Sequence, residues 1–225
     1  ERFEQGTSAY HIPYLAKLDS GTNVNLFKQA VIALVERHAV LNSVYVTEGD
    51  QSHQIVRSEP VRFTCEKLSD VNALEKHVQK SVNTPFDLEN EASIRLNHYE
   101  VQGDSYVLFI WHHIAFDGWS TDIFLQELSD TYSALLNSEA PRLPAQEIVY
   151  SDYAAWQRDY LQGDVLEEQI TYWKEQLSGY ETLDLLTDKA RPHHIDYRGD
   201  DYPFTIDVDR SSQLRQLAKQ HDTTL

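Results

Sequence analysis

Val107-Leu108-Phe109-Ile110-Trp111-His112-His113-Ile114-Ala115-Phe116-Asp117-Gly118-Trp119-Ser120 runs from an apolar core sequence into a pair of histidines and leaves through an Asp-Gly corner. The segment before the histidines is short and rich in β-branched and aromatic residues, the pattern of a buried strand. From Thr121 to Leu136, the residues Phe124, Leu128, Tyr132, Leu135 and Leu136 share one helical face. The histidine pair therefore falls where a strand gives way to a turn and then a helix. Strand ends in helix-covered sheets commonly present reactive side chains.

The spacing carries physical content. Adjacent strand residues point to opposite faces, so His112 and His113 cannot do the same job. One is expected to face a cleft and the other the packed side. A histidine at such a place is either a base in a cleft or a core residue satisfied by a backbone carbonyl. Asp117 either caps the following helix or pairs with a cation. Gly118 can take a positive φ that other residues resist. By composition, His-His-x-x-x-Asp-Gly arises by chance on the order of once in a thousand chains of this length, or less often.

Composition bounds the classes open to the chain. Its 225 residues are 41% hydrophobic and 24% charged, ample for a globular core and one or two domains. A formal charge of −17 argues against a nucleic-acid partner, which needs a basic surface. No apolar run is long enough to span a membrane, and no signal-peptide pattern is present. The single Cys65 permits no internal disulfide and fits a reducing, cytoplasmic compartment. The chain begins at Glu1 and contains no methionine, so it reads as a segment of something longer.

Other elements follow in order. Tyr10 to Leu18 reads as a strand interrupted by Pro13, hence at an edge. Asn25 is the expected cap of a helix carrying Leu26, Ala30, Val31, Leu34, Val35 and His38. A hairpin spans Val44 to Val56, and Val61 to Cys65 is a short strand. Asp70 to Val82 reads as a helix, and Ile94–Val101 and Ser105–Trp111 as a second hairpin. Ser151 and Asp164 are the expected caps of two helices ending near Leu161 and Leu177. Residues 181–194 read as a linker, Tyr202 to Val208 as a strand, and Asp209 as the cap of a helix cut off at Leu225. His193-His194 lacks a following Asp-Gly. With no three or four convergent ligands in view, it reads as a solvated loop rather than a metal site.

The histidine motif with its flanks resembles the condensation domain of nonribosomal peptide synthetases, within the chloramphenicol-acetyltransferase-like superfamily. Arg37-His38-Ala39-Val40-Leu41-Asn42-Ser43 is similar to that family's Arg-His-Glu-x-Leu-Arg-Thr element. Tyr150-Ser151-Asp152-Tyr153-Ala154-Ala155-Trp156 is similar to its Tyr-x-Asp-Tyr/Phe-Ala-x-Trp element. Ser8-Ala9-Tyr10-His11-Ile12-Pro13 and Pro85-Phe86-Asp87-Leu88 also resemble family segments, in the family's order.

The resemblance implies an α/β two-layer sandwich of the chloramphenicol-acetyltransferase type, a mixed sheet with helices on one face. Residues 1–180 would be the N-terminal lobe of a two-lobed domain, and residues 181–225 the crossover and the start of the C-terminal lobe. The implied reaction is amide formation: an acceptor-bound amine attacks a donor thioester. His113 is the implied catalytic residue. His112, Asp117, Arg37 and Gly118 are implied supports, with Asp117 paired to Arg37. Trp119 and Ser120 are expected to serve core packing and helix capping. Tyr150, Asp152 and Trp156 fit a capped amphipathic helix equally well and are not implied catalysts. Asn42 departs from the family's second Arg, which puts that cation's role in doubt here. No cofactor or metal would be bound by the chain itself. Phosphopantetheine would arrive on donor and acceptor peptidyl carrier proteins. The C-terminal lobe and an adjacent adenylation domain would be the other partners, with no nucleic acid and no membrane.

An epimerisation domain shares the histidine motif but usually follows Asp-Gly with Val-Ser-Trp-Arg, where this chain has Trp119-Ser120-Thr121-Asp122. A coenzyme A acyltransferase and a non-catalytic docking domain of the same fold are further alternatives. Tyr10-His11-Ile12-Pro13 and Thr121-Asp122 lean toward an L-configured donor. A single lobe should leave His113 on an open face beside exposed apolar surface.

Overall fold

The computed structural model describes residues 7–49, 51–183, 186–190 and 202–225. The chain divides into two compact units, residues 1–190 and 191–225. In the first unit the elements are β1 (His11–Lys17), α1 (Val24–Arg37), a 3₁₀ turn (Ala39–Asn42), β2 (Ser43–Glu48), β3 (Gln51–Val56) and β4 (Phe63–Leu68). They continue as α2 (Val71–Asn83), β5 (Ile94–Val101), β6 (Asp104–His112), α3 (Gly118–Leu136), α4 (Tyr150–Tyr160) and α5 (Gly163–Gln176).

A four-stranded sheet runs in the order β1-β6-β5-β4, and β2 and β3 form a separate hairpin. β6 pairs antiparallel with β1 and β5, and β4 pairs parallel with β5. A parallel pair needs a crossover, and α2 supplies it. Pro13 lies on β1 at the sheet's edge, where a missing N–H is tolerated.

β6 explains the continuous apolar run. Val107, Leu108, Phe109, Ile110 and Trp111 are each no more than 1% exposed. Their side chains alternate between two layers. Val107, Phe109 and Trp111 pack with Ala30, Val31, Leu34 and Val35 of α1 and with Phe124 and Leu128 of α3. Leu108 and Ile110 pack with Leu74 of α2 and with Phe86 and Leu88. The α/β class and mixed sheet are those expected. α1 and α3 form the helical layer on one face, and the structure adds α2 on the other. Burying each large side chain contributes roughly 1.5–3 kcal/mol.

Helix starts fall close to their expected places, with small corrections. The cap of α1 is Asn23, whose side chain accepts the Leu26 N–H at 3.2 Å, and Asn25 lies inside the helix. Asp70 caps α2 through the Ala73 N–H. α4 begins at Tyr150, where the Asp152 carboxylate accepts the Val149 N–H at 3.0 Å, in place of the expected Ser151 cap. α5 begins at Gly163, one residue before the expected Asp164 cap.

In the second unit, residues 202–207 form no strand, and α6 (Val208–Gln220) is capped by Asp207 rather than Asp209. Alternating hydrophobicity makes a strand only where another strand completes its hydrogen bonds, and none does so among the described residues of this unit. α6 closes at His221, so the helix ends before Leu225. The His193-His194 pair lies outside the described residues.

His98 on β5 is 3% exposed, with Nε2 3.4 Å from Ser105 Oγ. Burial pushes its pKa below the usual 6.5, Lys28 adds to that, and Glu100 opposes it. A lowered histidine pKa means the fold prefers the neutral ring. Stability is therefore full above the unfolded pKa and is lost as pH falls through the folded one. Urea denaturation midpoints should fall between pH 7.5 and pH 5, and His98→Asn should flatten part of that slope. An unchanged slope in the variant would remove His98 as its source.

Candidate active site

β6 ends at His112, and the chain turns at once. Three consecutive N–H groups find acceptors there. His113 N–H donates to Tyr10 O at 2.8 Å, Ile114 N–H to His112 Nδ1 at 3.1 Å, and Ala115 N–H to His112 O at 3.0 Å. The two histidines separate as adjacent strand residues must. His112 is 3% exposed, its ring edge-on to Phe86 at 5.6 Å, whereas His113 is exposed. Phe116 then returns to the core and stacks on Trp111, with centroids 4.2 Å apart and planes 4° apart. The turn is thus pinned at both ends and carries His113 between.

Phe86 and His11, from two of the short segments singled out in the sequence, meet at this turn. Their rings lie 5.0 Å apart, and His11 Nδ1 is 2.6 Å from Val82 O. Arg95 stacks on Phe86, its guanidinium carbon 4.0 Å from the ring centroid. The same guanidinium donates to Pro85 O at 2.7 Å and pairs with Glu91. Nothing in the strand pattern around Arg95 signalled this role.

Asp117 is the N-cap of α3. Its Oδ1 accepts the Ser120 N–H at 2.9 Å and the Ser120 hydroxyl at 2.6 Å. The Ser120 hydroxyl, then the Ser120 N–H, hold its carboxyl below the usual carboxylate range, and His113 adds a favourable charge interaction. Asp117 therefore stays ionised beside His113.

The expected Asp117–Arg37 pair does not form. Arg37 Nε lies 3.3 Å from both carboxylate oxygens of Glu127, and Nη2 donates to Glu127 Oε1 and to Pro144 O. His38 Nε2 lies 2.6 Å from Glu127 Oε2, and Gln146 Nε2 lies 2.8 Å from His38 Nδ1. The reason is distance along α3. At 1.5 Å per residue, Glu127 sits roughly 15 Å from the cap, so an arginine held there cannot reach Asp117. Arg37 and His38 instead clamp the end of α1 to the middle of α3. An Arg-His pair at the end of one helix and a lone Glu within an apolar helix face were the available signals.

Three further expectations change. Gly118 is the first residue of α3 and is not among the glycines with positive φ; a Cβ there would meet nothing within 4 Å. Trp119 is 86% exposed rather than packed in the core, because the cap at Asp117 turns the helix so that Phe124 and Leu128 face inward. Asn42 is 8% exposed, and its Nδ2 donates to Glu59 O at 3.1 Å and Arg57 O at 3.3 Å. A neutral backbone tie thus occupies the position of the family's second Arg.

Next to the turn is a cavity of about 140 Å³, lined chiefly by Val40, Leu41, Ala115, Phe116, Ile123 and Phe124. Among the described residues no group of three or more His, Cys, Asp or Glu side chains is placed to hold a metal ion. Among them too, no helix is long and apolar enough to cross a membrane.

Comparison with known proteins places these features in one family. The family described as Condensation domain matches residues 1–225. Malpinin synthetase of Mortierella alpina is 36% identical over 227 residues, covering 97% of this chain. The nonribosomal peptide synthetase TES of Alternaria alternata is 32% identical over 231 residues, covering 100% of this chain. The chain spans 3% of the length of the first relative and 4% of the second. Among solved structures, the X-domain from teicoplanin biosynthesis superposes with a TM-score of 0.83 at 22% identity, covering 98% of this chain and 50% of that one. The epimerization domain from the third module of tyrocidine synthetase B superposes with a TM-score of 0.70 at 25% identity, covering 81% of this chain and 43% of that one.

The geometry makes two mutational expectations. Arg37→Leu and Asp117→Asn share no contact, so their effects on the denaturation midpoint should add. Arg37→Leu and Glu127→Gln share one and should not. Coupling between Arg37 and Asp117 in such a cycle would contradict the clamp. Gly118→Ala should leave the melting temperature unchanged or raise it, since alanine favours a helix by up to about 1 kcal/mol over glycine. A marked fall would reveal a steric demand absent from the structure.

Proposed function

We propose that this chain, which belongs to the condensation-domain family of nonribosomal peptide synthetases, supplies the histidine of an amide-forming active site. The reaction is attack by the α-amine of an acceptor aminoacyl thioester on the carbonyl of a donor thioester. The new C–N bond replaces the donor C–S bond. The amine gives up a proton, and the donor phosphopantetheine leaves as a thiol. The observation that carries the reading is His113 itself: an exposed imidazole on a pinned turn, with an ionised carboxylate beside it.

The chemistry fits those groups. An α-amine of pKa about 8 is largely protonated near neutral pH, and only its neutral form attacks. An imidazole titrates near neutrality and can take the proton as the bond forms. The imidazolium so produced is stabilised by Asp117, whose own bonds to Ser120 keep it charged. The start of α3 borders open space, since even a Cβ on Gly118 would meet nothing within 4 Å, and a substrate chain can approach the turn there.

In this reading, residues 1–180 form one lobe of the domain and residues 181–225 lead into a second. The match to half the length of the solved X-domain supports a domain larger than this chain, and the compact units of the chain divide at residue 190 rather than 180. The exposure of His113 leaves its ring open to two carrier-borne arms. The arms belong to donor and acceptor peptidyl carrier proteins, and an adenylation domain charges them. The epimerisation alternative draws on the tyrocidine synthetase neighbour. Against it stands Trp119-Ser120-Thr121-Asp122 after the Asp-Gly. A recruitment role draws on an X-domain solved in complex with OxyB, at 22% identity, and leaves the intact His113 unexplained.

The test is His113→Ala within the synthetase that contains this chain, with both carrier proteins loaded. Amide formation should fall by about 10²-fold or more, with the melting temperature unchanged. Wild-type rates would remove His113 from the chemistry. Inversion of the donor's α-carbon without amide formation would replace the reading by epimerisation.

A further inference from the structure

We propose that His112 is a positioning residue that acts through one ring nitrogen: its unprotonated Nδ1 holds the Ile114 N–H and thereby sets the path of the turn that carries His113. The ring's bulk is secondary to that bond.

The hydrogen bonds fix the tautomer. Ile114 N–H can only donate, so the Nδ1 that receives it at 3.1 Å bears a lone pair and no proton. Neutral His112 therefore carries its proton on Nε2. The neighbouring His11 shows the opposite arrangement. Its Nδ1 lies 2.6 Å from the carbonyl oxygen of Val82, which can only accept, so that nitrogen carries the proton. The rings are 6.1 Å apart on paired positions of β1 and β6, and their backbones impose different tautomers.

The bond also sits where it matters. Of the three amides that begin the turn, the first is held by Tyr10, just before β1, and the other two by His112, through its ring and its carbonyl. Without the ring acceptor the Ile114 N–H can turn to water, because Ile114 is 41% exposed. The segment between His112 and Phe116 is then free to repack. The ring cannot easily swing away to release it. Phe86 stands against it edge-on, and the Arg95 guanidinium stacked on Phe86 holds that ring in turn. The side chain is thus locked so that one lone pair points at one amide. A displacement of the base by about 1 Å can cost 10²-fold in rate.

The activity arm rests on the amide-forming reading; the spectroscopic arm does not. With ¹⁵N-labelled histidine in the full chain, His112 should show a non-protonated Nδ1, a protonated Nε2 and slow exchange of the Ile114 amide. A His112 proton on Nδ1, or rapidly exchanging tautomers, overturns the proposal whether or not any activity is found. Three substitutions supply the second arm. His112→Asn keeps an acceptor near the Nδ1 position, whereas His112→Gln and His112→Phe do not. The Asn variant should retain kcat within about tenfold. The other two should lose about 10²-fold in kcat with KM little changed. Equal losses in all three, or a Phe variant as active as the Asn variant, would make His112 a core filler and sink the idea. If wild type forms no amide at all, the functional reading falls, and the nitrogen spectrum alone decides the role of His112.

Discussion

Strand β6 is hydrogen-bonded on both edges and covered on both faces, and the rest of the first unit depends on that double burial. Its edges belong to β1 and β5. One face meets α1 and α3, and the other meets α2 and the segment around Phe86. A strand buried in this way has no water to satisfy its backbone, so the ladder must be complete for its whole length. The ladder stops at His112, paired with His11. The next amides must find acceptors at once, and they do so in Tyr10 O, the ring of His112 and the carbonyl of His112. Exposure of His113 is thus a consequence of where the sheet ends. Phe116, stacked on Trp111, keeps the exit from the turn as fixed as the entry.

Much of this architecture was legible because the signals are periodic. The unbroken apolar run of β6 and the helical stripe of α3 each repeat often enough to outweigh a local exception. Caps were less legible. Asn23 and Asn25 are both good capping residues, and the choice rests on which side chain meets the N–H three residues on. The same ambiguity separates Asp207 from Asp209. Tyr202 to Val208 alternates as a strand does, yet alternation records which face is apolar and says nothing of a pairing partner.

The site was legible in its residue types more than in its contacts. His112 and His113 part company as strand geometry demands, and Asp117 takes one of the two roles open to it. Its partner was not readable. Whether an arginine at the end of α1 meets the start or the middle of α3 depends on how the two helices are offset, which spacing within either helix does not encode. Arg95 was hidden for a related reason. It reads as a polar strand residue, and its stacking on Phe86 exists only once residues 84–91 fold back over it. Asn42 shows a family position refilled. A short amide reaches the Arg57 and Glu59 carbonyls, a job for which a guanidinium is too long and too costly to bury.

An exposed imidazole is a poor catalyst by itself, because water competes for its proton and screens the charges around it. Orientation and exclusion of water are what a protein adds. The turn supplies the first through its backbone bonds. The means for the second lie around it: Ile114 is 41% exposed, Ile123 58% and Trp119 86%. Apolar groups held in water favour any surface that covers them, by roughly 2.5 kcal/mol per 100 Å² buried. Covering these residues would dehydrate His113 in the same step and strengthen its interaction with the Asp117 carboxylate as the local dielectric falls. In the proposed reaction, a surface that covered these apolar groups would therefore also make the chemistry of the turn effective, and closure and activation of the site would be a single physical event.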